Sequence, residues 1–226
     1  MDFSRFFDQY EALSKTADSV FERMRQEYPD LVKCRTGCAD CCHALFDLSL
    51  IEALYLNHCF GKTFAGPEKE ELLERANRAD RQVYKLKRKA YQEFRNGRPE
   101  AEILEDLARK RVRCALLNEN DRCDLYAHRP ITCRFYGIPT SINGRGHTCG
   151  LTGFREGESY PTVNLDAIQK RLFNISAELV QTLKSRHVKM AEMLVPVSMA
   201  LLTCYDETYL GLPGAKEPQA EGEDHD

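Results

Sequence analysis

Apolar residues at Phe3, Phe6, Phe7, Tyr10, Leu13, Ala17, Val20, Phe21 and Met24 recur every three or four positions, the period of one helix face. This stripe predicts a long amphipathic helix over 3–27, ended by Tyr28-Pro29-Asp30. The next apolar run, "DLSLIEALYLNHCFG", opens with Ser49 and Glu52 in capping-box register and predicts a helix stopping near Gly61. From Pro67 the stripe Leu72, Ala76, Ala79, Val83, Leu86, Ala90 and Phe94 predicts a second long helix, broken at "NGRP". A shorter helix then carries Ile103, Leu104 and Leu107.

The middle of the chain loses the period. "VRCALL" is a short apolar run beside the turn-like "NEND" and reads as a strand. "YAHRPITCRFYGIP" reads as one or two helical turns begun by Pro130, at the first helical position, and closed by Gly137. Residues 138–163, rich in Gly, Ser, Thr and Asn, read as a long loop. Asn164 then caps a helix striped by Leu165, Ile168, Leu172, Ile175, Leu179 and Leu183. The last apolar segment, "MLVPVSMALLTCYDETYLGL", is expected to pack as a helix kinked or started at Pro196.

The expected class is mainly α: an irregular helical domain with cysteine-rich loops and at most a short strand pair. One domain is expected over 1–212, with a cysteine core at about 34–150 and flanking helices at 3–27 and 164–210. The acidic segment 213–226 has almost no apolar residues, and its composition predicts disorder.

At 226 residues such a chain can build a core unaided, and its ten cysteines fall below the density of a disulfide scaffold. The N-terminus is charged throughout, without the apolar core of a secretion signal, and no apolar run reaches the roughly 18 residues of a membrane span. These features place the expected protein in the cytoplasm, where clustered cysteines point to metal or catalysis before disulfides. The net charge of −3 is unevenly spread: thirteen Lys or Arg stand against six Asp or Glu between Arg75 and Arg113. No repeat, P-loop or dinucleotide fingerprint is present.

The stretch "KCRTGCADCCHALF" sets Cys34, Cys38, Cys41 and Cys42 within nine residues. Cys114, Cys123, Cys133 and Cys149 follow through the loop-rich middle, whereas Cys59 and Cys204 lie in apolar helical runs and read as buried small hydrophobes. Eight thiols in two blocks match metal ligation, because thiolates bind zinc or the irons of a cluster and a closed site takes four. Adjacent side chains point different ways. Cys41 and Cys42 are therefore expected to divide between two sites, or to leave one of them outside the first ring of ligands. Arg35, Arg129 and Arg134 stand near enough in sequence to offset the charge, although solvated surface arginines would look the same.

With Tyr126, Arg129, Pro130 and Arg134 added, the pattern resembles the YkgJ-type cysteine-cluster family. It runs Cys34-x3-Cys38-x2-Cys41-Cys42, then Cys114, then Cys123-x2-Tyr126-x2-Arg129-Pro130-x2-Cys133-Arg134, then Cys149. This is the CxxCxxCC group of zinc- or iron-chelating domains, and the resemblance covers about 34–150. It leaves out the first helix, the basic insertion at about 63–98 and everything after 150. The resemblance implies zinc or iron, an iron–sulfur cluster included, chelated by Cys34, Cys38, Cys41, Cys42, Cys114, Cys123, Cys133 and Cys149 in a bacterial protein. On this reading metal binding is part of folding, and stripping the metal with a chelator would unfold at least that half of the chain. Longer relatives resemble flagellin lysine methylases with an iron–sulfur cluster, which makes an enzyme of methyl or electron transfer the alternative.

Other readings carry less. The Cys34-x3-Cys38-x2-Cys41 spacing is that of a radical S-adenosylmethionine cluster, but no strand–helix alternation follows and Asp40 replaces the usual aromatic. A thioredoxin-like use of Cys38 and Cys41 lacks its βαβ setting. His43 and His147 are candidate ligands or supporting groups, with ordinary polar histidines the plainer reading. The basic helix 75–95 could track the phosphates of a nucleic acid, although Tyr84 and Tyr91 would more simply pack along its apolar stripe. Tyr126 is expected to pack beneath the cysteine site. No catalytic residue, protein partner or membrane contact is read from the sequence.

Overall fold

The computed structural model describes residues 1–155 and 157–214. The first stripe forms α1 (Ser4–Glu27), which buries Phe6, Phe7, Tyr10, Leu13, Ala17 and Met24. A short strand, β1 (Asp47–Ser49), leads straight into α2 (Leu50–Thr63), which runs two residues past Gly61. The predicted capping box is present: the Ser49 N–H and hydroxyl both donate to Glu52 Oε2, at 3.0 and 2.9 Å. α3 (Gly66–Arg95) begins with Pro67 in its first turn, and α4 (Glu100–Ala108) buries Ile103 but leaves Leu104 exposed.

Pro130 stands at the N-cap of α5 (Ile131–Phe135), one position before the expected one, and Gly137 closes the segment at φ +104°. The expected loop at 138–163 holds β2 (Thr140–Ile142), β3 (Arg145–His147) and the start of β4 (Val163–Asn164). Asn143 and Gly144 both take positive φ, the turn that matches strand twist in a two-residue hairpin. Asn164 caps α6 (Leu165–Thr182) by accepting from the Ala167 N–H at 3.0 Å. β5 (Leu194–Pro196) pairs antiparallel with β1, and α7 (Val197–Leu202) starts after Pro196 as expected.

The fold is mainly α, with seven helices and five short strands among the described residues. The strands form the β1–β5 pair and a β3–β2–β4 sheet, so there are two small sheets where one pair was expected. "VRCALL" is not a strand: Val112 and Cys114 donate N–H bonds to His43 and Cys42, and only isolated bridges flank them. The expected acidic tail, beyond Pro213 and Gly214, lies outside the described residues. No helix among those described is long and apolar enough to cross a membrane.

α2 lies between two apolar cores and contributes to both. One face packs with α1, α5 and α6 through Ile51, Leu54 and Tyr55; the other packs with α3 and α7 through Ala53, Leu56 and Phe60. The α3 stripe is buried only as far as Val83, and Tyr84, Tyr91 and Phe94 are exposed. Beyond Val83, Leu86 packs half-buried against the cluster that holds Val112, Lys87 pairs with Asp47, and α4 lies along the helix.

Glu52, 3% exposed, joins two of these elements, because its Oε1 also accepts from the Ile131 N–H at 3.1 Å. One carboxylate thus satisfies free amides at the starts of α2 and α5. Burial raises its pKa above the ordinary range, against the Ser49 and Ile131 hydrogen bonds that lower it. A raised folded-state pKa gives stability present below the unfolded pKa and lost as pH rises through the folded one. Glu52→Ala is expected to lower unfolding stability by about 2–4 kcal/mol by orphaning buried amides. Urea titrations of both proteins from acid to neutral pH should show that deficit shrinking as pH rises.

Candidate metal centre

Gly37, at φ +85°, turns the first cysteine block back on itself, and the Cys38 N–H donates to the Arg35 carbonyl. A 3₁₀ turn over Asp40–His43 follows, in which successive side chains diverge by roughly 120°. Cys41 and Cys42 were expected to divide between two sites, but this turn brings both onto one cavity with their thiols hydrogen-bonded to each other. The Cys42 carbonyl accepts from the Cys114 N–H at 2.7 Å, which lays the second cysteine block along the first. Residues 117–123 then double back through the Leu117–Cys123 bridge and the Asp124 N–H bond to Leu116, returning Cys123 towards Cys114. Arg75 of α3 holds that turn, donating to the Leu117 carbonyl and to Asp124 at 3.1 Å each.

Cys133 is placed by α5, and the residues around it explain their own spacing. Arg134 is 5% exposed and donates to the Arg129 and Ala127 carbonyls and to Asp18 of α1. Arg129 donates to the other oxygen of Asp18 at 3.2 Å and sits 4.1 Å from the centre of the Tyr126 ring. The Tyr–Arg–Pro–Cys–Arg element is thus a clamp that fastens the short helix to α1. Tyr126 does not pack beneath the site: it is 63% exposed and covers Arg129 from outside. Its side chain stacks on a cation, which keeps one face wet.

Five thiols, those of Cys41, Cys42, Cys114, Cys123 and Cys133, line one cavity of about 60 Å³. Its other walls are apolar, built from Leu45, Phe46, Ala79, Val83 and Val112, with Pro196 and Val197 from the C-terminal segment. Arg129 reaches the same space, whereas Arg35 is exposed and Arg134 is consumed by carbonyls and Asp18. Of the three arginines expected to balance the thiols, Arg129 is the one the cavity receives.

Cys34, Cys38 and Cys149 stand outside that lining. The Cys149 thiol donates to Asp40 Oδ2 at 3.3 Å and accepts from the Leu151 N–H at 3.4 Å. Cys34 lies against Gly137, where any Cβ would come within 3.1 Å of the Cys34 Cβ. Among the described residues no three His, Cys, Asp or Glu side chains already converge on a common point. The sulfurs are gathered without being assembled.

The thiols divide electrostatically. The Cys133 and Cys42 thiols hydrogen-bond to Cys41 and hold its pKa well below the ordinary thiol range, while their own are driven up. Burial pushes Cys114 up to about 11 and Cys123 to about 12. Burial also raises Cys34 to about 11, the Cys38, Cys41 and Cys149 sulfurs adding to it and Arg129 opposing. Uptake of a metal by such a set displaces protons.

Cys59 is buried as expected, but Cys204 is exposed just after α7. His43 directs Nδ1 at the Ala39 carbonyl, His128 at the Tyr55 hydroxyl, and His147 is exposed on β3. Sequence reasoning missed Asp18 and the Pro196–Val197 wall. Asp18 is a single carboxylate on a helix face, and its partners lie more than a hundred residues away.

A family model described as "CxxCxxCC: Putative zinc- or iron-chelating domain" matches residues 33–150, just over half of the chain. No curated protein and no solved structure gives a match.

Asp18→Ala leaves the buried Arg134 guanidinium without its counter-charge. Because Asp18 is itself half-exposed, the expected loss is about 1–3 kcal/mol. Adding Arg134→Met to that variant should cost less than Arg134→Met alone, as thermal melts of the double-mutant cycle would show.

Proposed function

The chain belongs to the CxxCxxCC family, and from that premise we propose that it binds zinc or iron through its clustered cysteines as one helical domain. The carrying observation is the cavity into which five thiols from three separate stretches of chain project. Cys34, Cys38, Cys41, Cys42, Cys114, Cys123, Cys133 and Cys149 are the ligand set. The donor chemistry fits: sulfurs without disulfide partners, a nearby guanidinium, and apolar walls that keep water from competing. Zinc would be held as a closed thiolate site, and iron would bring a sulfur-ligated cluster with redox capacity. Five sulfurs on one cavity exceed the four that a zinc ion takes, which favours a centre of more than one metal atom. Cytoplasmic residence suits such thiols.

An enzyme of methyl or electron transfer needs space beside its metal. The apolar residues Ala79, Val83 and Val197 line the cavity beside the cysteines, which favours this as the second reading. The basic helix supports a third. Tyr84 and Tyr91 are 61% and 59% exposed among Arg78, Arg81, Lys85, Arg88 and Lys89, an arrangement suited to stacking and phosphate contacts along single-stranded nucleic acid.

Cys41→Ser and Cys133→Ser are each expected to reduce bound metal and lower the melting temperature, measured on anaerobically prepared protein by elemental analysis and calorimetry. Unchanged metal content in both would sink the assignment; a brown sample selects iron and a colourless one with stoichiometric zinc selects zinc. Stripping the metal with a chelator should loosen the cysteine loops. The nucleic-acid reading predicts oligonucleotide binding whose logarithmic salt slope is about −3 for four phosphate contacts. Reversing Arg78, Arg81, Lys85 and Lys89 should abolish it in a fluorescence titration.

A further inference from the structure

α3 carries a second pattern besides its buried stripe. From Glu70 to Arg95, a strip of positions three and four apart on its solvent side is exposed without a break. The strip is acidic first and basic after. Glu70 and Glu74 stand at one end, and Arg81, Arg88 and Arg95 follow with Tyr84 and Tyr91 set between them. Glu74 reaches Arg78 at 3.8 Å, and Arg95 donates to the Tyr91 hydroxyl at 3.4 Å. Glu70, Arg81 and Arg88 have no ion-pair partner among the described residues. The two ends cannot neutralise one another. Glu70 and Arg88 stand about 27 Å apart along the helix axis, and salt screens exposed charges beyond about 8 Å. A rigid rod with opposite charges at its two ends is complementary to its own reverse.

We propose that two copies of this chain pair along this face of α3, antiparallel about a two-fold axis. In such a contact residue i of one copy meets residue j of the other, and j meets i. A crossing between Arg81 and Tyr84 sets Glu70 against Arg95 of the second copy, Glu74 near its Arg88, and Arg81 over its Tyr84 ring. Each charged end then meets its opposite. All three cations of the strip are arginines, whose planar guanidinium stacks on a tyrosine face. Tyrosine and arginine are also the residues that protein interfaces favour. A nucleic acid would use the arginines but be repelled by Glu70 and Glu74, so a second copy accounts for more of the face. A strip about 38 Å long on a helix about 12 Å across buries roughly 900 Å² between two copies, which is the range of weak, transient pairs. The dimer is therefore reversible and depends on its charges.

The test is sedimentation velocity of the full chain over a concentration series, under reducing conditions that keep the exposed Cys204 from linking copies. In low salt the unaltered chain should pass from monomer to dimer as concentration rises, and high salt should return it to monomer. Two charge-reversed variants follow: one carries Arg81→Glu, Arg88→Glu and Arg95→Glu, the other Glu70→Arg and Glu74→Arg. Each should weaken the dimer at least about tenfold, because like charges now meet across the axis. All five positions are exposed, so far-ultraviolet circular dichroism should read the same fold in both. Mixed in equal amounts, the two variants should associate again, the acidic strip of one on the basic strip of the other. The proposal is overturned if the unaltered chain stays monomeric throughout, if either variant dimerises as well as the unaltered chain, or if the mixture fails to associate. A chain that stays monomeric and binds a single-stranded oligonucleotide overturns it in favour of nucleic acid on the same face.

Discussion

Burial of the Glu52 carboxylate is the constraint on which the arrangement of this molecule turns. An ionisable group that is 3% exposed is tolerable only where hydrogen bonds replace its water. Three such bonds are present, and they come from two helix starts that are far apart in sequence. Satisfying the charge therefore requires α2 and α5 to begin at the same place. Cys133 lies two residues into α5 beyond the bonded amide, so its position follows from the capping of a different helix.

Arg134 adds a second constraint of the same kind. Its guanidinium spends two bonds on carbonyls of its own segment and one on Asp18, so the segment must lie flat on α1. Together these two buried charges, one of each sign, fix α5 between α1 and α2 without any metal. The spacing from Tyr126 to Arg134 records that geometry: a surface ring over Arg129, a proline at the helix cap, then the thiol and the buried cation.

Much of this was legible in the sequence because it is local. The α1 stripe, the Ser49–Glu52 box, the Asn164 cap and the start at Pro196 each depend on neighbours within a few residues, and each forms where its pattern places it. The Asn143-Gly144 hairpin was also local, but its strands are only three residues long and carry no apolar alternation. Long-range features stayed hidden. Nothing in the order of residues says that Glu52 serves α5, that Asp18 serves Arg134, or that Pro196 and Val197 wall the thiol cavity. Along α3 the stripe holds to Ala90, with Leu86 and Ala90 half-buried, and only Phe94 at its end is exposed, while Tyr84 and Tyr91, which flank it, face outwards.

The relation between metal and fold follows from where the apolar residues of the cysteine segments go. Leu116 and Leu125 enter the core shared with α3 and α7, and Ile131 and Phe135 enter the one shared with α1 and α6. Each buried aliphatic or aromatic side chain contributes on the order of 1.5–3 kcal/mol, so these stretches are anchored by burial as well as by sulfur. Small metal-folded domains lack such anchors and unfold when stripped. Here the backbone around Cys114, Cys123 and Cys133 is held by cores and buried charges, and the loop at 34–43, which contributes no buried side chain, is held more weakly. On the proposed metal-binding reading, loss of metal would then fall first on that loop. The scaffold keeps the downstream thiols gathered, and on the proposed reading the upstream loop would supply the sulfurs that close over the ion.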